Sequence, residues 1–226
     1  MLLTIPNILP AKDINHILER LAQAPWQDGA QTAGALAQQV KANQQVDDQS
    51  PIAAELRQHI LSSLGSTPQL ISAALPLKIF PPKFNCYQGG GHYGLHTDSA
   101  MMTLPNGEYL RSDISATLFL SNPESYDGGE LSIETQYGAQ HVKLNAGDLV
   151  LYPSTSLHQV QAVTRGERVA VFFWIQSMVR NALQREQLFE LDQSIQQLRV
   201  TLGADDNEVR RLSALYHNLL RDWAEV

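Results

Sequence analysis

Residues 86–98 read Cys86-Tyr87-Gln88-Gly89-Gly90-Gly91-His92-Tyr93-Gly94-Leu95-His96-Thr97-Asp98. An apolar run enters three glycines, which supply a permissive turn, and a second run leaves them, so the stretch reads strand, turn, strand. No Lys-Ser/Thr pair and no helix start follow the glycines, which sets aside a phosphate cradle. The same grammar extends outward, with short runs rich in Val, Ile, Phe and Tyr between Gly, Pro, Asn and Asp clusters. Strands are expected near 77–87, 92–98, 114–121, 129–135, 139–144, 148–152, 157–163 and 167–177. That many short strands suit a double-sheet jelly roll.

Helical spacing flanks this β unit. Ile14, Ile17, Leu18 and Leu21 share a helical face, Ser50-Pro51 starts a second helix through Ile52, Leu56, Ile60 and Leu64, and Gly65 closes it. The Gln- and Ala-rich segment 31–49 reads as a surface helix or a loop. After Ser177 the helical period returns through Leu183, Leu188, Leu191, Ile195 and Leu198, breaks at Gly203-Ala204-Asp205-Asp206, and resumes through Val209, Leu212, Leu215, Leu219 and Trp223. The expectation is a mainly β fold with flanking helices: residues 1–76 a helical layer, 77–178 the jelly roll, 179–226 a helical appendage. Those Leu-rich last helices offer a surface for a homo-oligomer.

Composition narrows the function. Among 226 residues, 16 Lys and Arg stand against 23 Asp and Glu, a net charge of −7, which argues against a grip on nucleic acid or anionic lipid. The single cysteine, Cys86, cannot close an internal disulfide, in keeping with a reducing cytoplasm. It reads as a small buried hydrophobe. The longest apolar run, Val169 to Ile175, is far short of the ~20 residues of a membrane span, and the N-terminus lacks a signal-peptide layout. A soluble, cytoplasmic protein is expected.

His96 and Asp98 stand two apart at a strand end, so both project from one face and can hold one ion. His158 supplies a third ligand from a later strand. Two imidazoles and a carboxylate leave part of the metal open, as in non-haem Fe(II) oxygenases, although zinc hydrolases can look similar. Arg168 discriminates between them. A hairpin near Val163 would bring Arg168 level with His158 on a neighbouring strand, and a buried guanidinium beside an open metal calls for a dicarboxylate. 2-Oxoglutarate fits, with its keto-acid end on iron and its far end on Arg168.

The series 86–98, then Asp127-Gly128-Gly129-Glu130-Leu131, Gly147-Asp148-Leu149-Val150-Leu151-Tyr152-Pro153, and His158 followed ten residues later by Arg168, resembles the prolyl 4-hydroxylase-like iron and 2-oxoglutarate dioxygenases, above all the bacterial PKHD-type hydroxylases. The resemblance implies a double-stranded β-helix core, Fe(II) held at His96, Asp98 and His158, 2-oxoglutarate at Arg168, and L-ascorbate as reductant. Dioxygen and 2-oxoglutarate would be consumed, succinate and carbon dioxide released, and an unactivated C–H bond hydroxylated in a peptidyl (prolyl- or lysyl-like) or small-molecule substrate. A metal or 2-oxoglutarate sensor without turnover is the alternative.

One position departs from the family. Where some relatives carry a tyrosine that helps the arginine, this chain has Phe119, so Thr117, on the same face, is assigned to co-substrate binding together with Tyr87. Phe172 and Trp174 share parity with Arg168 and are expected to line the pocket, with Val169, Val171, Phe173 and Ile175 turned to the helices. Met101, Met102 and Tyr109 shape an entrance or cover the barrel mouth. His92 reads as a solvated loop residue, and His16, His59, His141 and His217 as ordinary surface or cap residues.

Overall fold

The computed structural model describes residues 1–32 and 40–226. Its larger sheet takes β1 (Leu3–Ile5), β2 (Trp26–Asp28), β4 (Gln44–Val46), β5 (Pro76–Ile79), β6 (Lys83–Gln88), β10 (Ile114–Phe119), β14 (Leu149–Pro153) and β17 (Glu167–Ser177). A smaller sheet takes β3 (Lys41–Ala42), β7 (His92–His96), β12 (Leu131–Thr135), β13 (Gly138–Val142) and β15 (His158–Val160). Two further pairs stand apart: β8 (Met101–Thr103) with β9 (Tyr109–Arg111), and β11 (Asp127–Gly128) with β16 (Val163–Arg165).

All these pairings are antiparallel. The larger sheet runs β1-β14-β10-β17-β6-β4-β2, with β5 also on β17, and the smaller runs β13-β12-β15-β7-β3. Strand β17 organises the larger sheet because its alternation sorts two faces. Val171, Phe173 and Ile175 are buried with Ile14, Ile17 and Leu21 of α1 (Ala11–Leu21) and Leu56, Ile60 and Leu64 of α2 (Pro51–Gly65). Each fully buried aliphatic side chain contributes about 1.5–3 kcal/mol. The opposite face meets the smaller sheet, where Tyr87, Phe119, Val150 and Tyr152 pack with Leu131, Ile133, Val142 and Val160.

Local signals at the helix ends behave as expected. Ser50 caps α2, its side chain accepting from Ala53 N at 3.1 Å, and Pro51 opens the first turn. Asp206 caps α5 (Asn207–Trp223) after Gly203 ends α4 (Ala182–Leu202), and Tyr216, Leu219, Leu220 and Trp223 of α5 pack on Leu75, Val179 and Leu188. Among the described residues no helix is long and apolar enough to cross a membrane.

Several expectations change. The segment 31–49 forms β3 and β4 rather than a surface helix or loop where it is described, and its residues 33–39 lie outside the described residues. The first 76 residues add strands to both sheets as well as helices, including the short α3 (Pro68–Ala74), which carries too few residues to show a period. The expected 77–87 strand is two strands because Pro81 and Pro82 lack ladder donors. Likewise 157–163 divides into β15 and the start of β16. The stretch after Asp98 holds the β8–β9 hairpin, with Met101 and Tyr109 exposed.

His158 and Arg168 do not stand level on one hairpin as expected. His158 sits on β15 of the smaller sheet and Arg168 on β17 of the larger, and the two strands do not pair. Between them β16 turns aside to pair with β11, and Gly166, at φ +72°, carries the chain into β17. The two side chains therefore share a pocket from facing sheets instead of standing level on one.

Candidate metal centre and co-substrate pocket

His96 ends β7 directly opposite His158 on β15, with ring centroids 4.3 Å apart. Asp98 lies two residues beyond the strand, and its Oδ2 is 3.7 Å from His158 Nε2. One ligating atom from each of the three falls within 4.8 Å of the others. The spacing of residues 96 and 98 thus converges as alternation requires, and the β7–β15 register brings in the third group.

The surroundings prepare these groups for a cation. His96 Nδ1 is 2.7 Å from Gly94 O and His158 Nδ1 is 3.0 Å from Ser156 O. A carbonyl only accepts, so each Nδ1 carries the proton and each Nε2 keeps a free lone pair. Asp98 Oδ2 accepts from Ser115 Oγ at 2.6 Å, and Ser115 Oγ is 2.7 Å from Ser154 Oγ. Tyr93 stacks on the His96 ring at 3.6 Å. Burial, then the nearby His158, lowers the pKa of His96 and keeps it a neutral donor. Such hydrogen-bonded imidazoles and carboxylate suit a borderline divalent ion.

Arg168 lines the same pocket and is 1% exposed. It stands opposite Tyr87 on the β6–β17 ladder, its Cζ 5.4 Å from the Tyr87 ring centroid and 5.0 Å from that of Phe119. Among the described residues no carboxylate pairs with it, and its Nε finds no hydrogen-bond partner. A buried guanidinium without a counter-charge is costly, so the site is chemically incomplete without an anion.

The remaining candidates fall into place around it. Tyr87 and Thr117 line the pocket with Phe172 and Trp174. Burial pushes the Tyr87 phenol up to about 12, against the pull of Arg168, so it stays protonated. Phe119 is fully buried beside Arg168 and brings no hydroxyl. His92 is exposed, with Nδ1 against Gly90 O, and Cys86 is a buried thiol raised to about 11 by burial. Sequence did not single out Ser115, although it shares parity with Thr117 on β10.

A PKHD-type hydroxylase from Pseudoalteromonas atlantica is 56% identical over 225 residues, covering 99% of each chain. The chain belongs to the PKHD-type hydroxylases. Another family member, from Teredinibacter turnerae, is 57% identical over the full length of both chains. Residues 82–176 match the 2OG-Fe(II) oxygenase superfamily, and 183–225 match the PKHD-type hydroxylase C-terminal domain.

Solved structures place this PKHD-type fold among known oxygenase folds. A Pseudomonas putida prolyl-4-hydroxylase matches with a TM-score of 0.53 at 21% identity, covering 77% of this chain and 92% of that one. A Trichoplax adhaerens prolyl hydroxylase matches at 0.54 and 13%, covering 78% and 83%. At such identities the likeness is one of fold: helices around large antiparallel sheets, as in 2-oxoglutarate oxygenases.

Proposed function

We propose that this PKHD-type chain is an Fe(II)- and 2-oxoglutarate-dependent dioxygenase that hydroxylates an unactivated C–H bond of a peptidyl (prolyl- or lysyl-like) or small-molecule substrate, releasing succinate and carbon dioxide. The observation that carries the reading is the pairing, in one pocket, of a His-Asp-His cluster with a buried arginine that has no counter-charge among the described residues. In this reading the two facing sheets are the halves of a double-stranded β-helix, and L-ascorbate keeps the iron ferrous.

His96 and His158 would hold the ion through Nε2 and Asp98 through its carboxylate, with Ser115 fixing the Asp98 orientation. Arg168 would pair with the distal carboxylate of 2-oxoglutarate, flanked by Tyr87 and Thr117. Bound iron and co-substrate supply the oxidising chemistry, which no side chain of the chain can perform. The protein's part is geometric: Phe172 and Trp174 wall the pocket, and the protonated tyrosines keep anionic charge away from the cluster.

The test is anaerobic reconstitution with Fe(II) and 2-oxoglutarate, followed by oxygen. A visible charge-transfer band and then succinate, produced even without primary substrate, are expected. Binding without succinate would move the chain to a sensor role; neither band nor succinate would count for a zinc site and against the proposal.

A further inference from the structure

A primary substrate has to meet the metal from outside the space that the co-substrate fills, and two lysines stand there, one from each sheet. Lys41 lies on β3, the end strand of the smaller sheet, directly opposite Tyr93 of β7, with its Nζ 5.1 Å from the centroid of that ring. Tyr93 lines the pocket and stacks on His96. Lys41 Nζ then reaches across to the larger sheet, donating to Gln45 Oε1 at 3.2 Å, and Gln45 stands opposite Asn85, another lining residue. Lys83 shares a face of β6 with Asn85 and pairs in register with Phe172, which lines the pocket too. Its Nζ is 5.9 Å from the Phe80 ring, which meets Trp174 edge-on. Each lysine is thus one side chain removed from the pocket lining.

The charge at this border is positive, although the chain as a whole carries −7. Lys83 pairs with Asp48, and Asp48 also pairs with Arg57, so one carboxylate answers two cations. Burial first, then the charge on Lys83, lowers the Lys41 pKa to about 8, against the pull of Asp28 and Asp98. Ammonium groups drawn out of water in this way welcome an anion and repel a further cation.

Resting on the function proposed above, we infer that Lys41 and Lys83 together receive a carboxylate of the primary substrate, just outside the pocket and beside the rings of Tyr93 and Phe80. The substrate class is therefore acidic. A lysyl side chain is disfavoured, because its ammonium would meet two groups of its own sign, whereas a prolyl-like or other small acid with a free carboxylate is matched.

The experiment is calorimetric titration of the full chain, loaded with Mn(II) and saturated with 2-oxoglutarate so that Arg168 is already engaged. The probes are N-acetyl-L-proline, an anion, N-acetyl-L-prolinamide, neutral, and N-acetyl-L-lysinamide, a cation. The acid should bind at least about tenfold more tightly than its amide, with the cation weakest of the three. Lys41→Gln and Lys83→Gln should each remove most of that preference, and Lys41→Arg should keep it. Acid and amide binding alike in wild type, no binding of the acid, or equal losses of acid and amide in Lys41→Gln would overturn the inference and leave the functional reading in place. Wild type that binds no 2-oxoglutarate would overturn the functional reading itself, and the inference with it.

Discussion

His158 faces His96 across one antiparallel pairing, with ring centroids 4.3 Å apart, each ring oriented by a backbone carbonyl at Nδ1. The backbone register, rather than a side-chain network, sets the spacing of two proposed ligands. Replacing either with alanine should abolish 2-oxoglutarate-dependent succinate formation, by more than about a hundredfold, while the fold persists by circular dichroism. Succinate formation at the wild-type rate in His96→Ala would remove the metal assignment.

Ser115 donates to Asp98 at 2.6 Å, and its Oγ is 2.7 Å from Ser154 Oγ. Ser115→Ala should lower divalent-metal affinity by about 10–100-fold, the usual cost of losing such a support, with little change in thermal stability of the metal-free protein. Competition with a fluorescent chelator reads this directly.

Among the described residues Arg168 is a buried cation with no carboxylate beside it, only the Tyr87 and Phe119 rings, so it should cost stability when no co-substrate is bound. Arg168→Met, of similar volume, is expected to raise the Tm of the metal-free protein by about 2–4 °C for each kcal/mol relieved. The same variant should lose the further rise that metal with 2-oxoglutarate gives wild type. A lower Tm in the variant would mean that the guanidinium is already compensated.

Gly129→Ala should do two things. At φ +69° an added Cβ is strained by about 1–3 kcal/mol and meets Val163, Tyr126 and Arg168 at 2.9–3.0 Å. Denaturant unfolding should report the first effect and weakened 2-oxoglutarate binding the second.

The pKa of His96 is lowered by burial and by His158. Below the ordinary histidine value of about 6.5 the unfolded chain takes up protons before the folded one, so stability of the metal-free protein falls as pH drops through that window. It levels off once His96 protonates in the folded state. His96→Asn should flatten this slope between about pH 6.5 and 5; an unchanged urea midpoint profile would contradict it.

Features governed by neighbours in sequence were legible before any coordinates. The alternation of Val171, Phe173 and Ile175 against Arg168, Phe172 and Trp174 follows from the two-residue strand period; the odd positions are buried in the helix-side core and Arg168, Phe172 and Trp174 line the pocket, with Phe173 also reaching its lining. Ser50-Pro51 named its helix start because a cap is a contact within three residues. The short β3 and β4 and the seven-residue α3 were not legible, since a period needs more residues than these elements contain.

The sequence by itself determined which side chains share a strand face, and through its motif series which family they belong to; both are carried by local order along the chain. Only the tertiary structure decided that His158 and Arg168 stand on facing sheets rather than on adjacent strands, that Ser115 supports Asp98, and that among the described residues Arg168 meets no carboxylate. Sheet membership depends on which distant strands exchange hydrogen bonds, and that choice is made by burial of the whole core, where no short stretch of residues holds the answer.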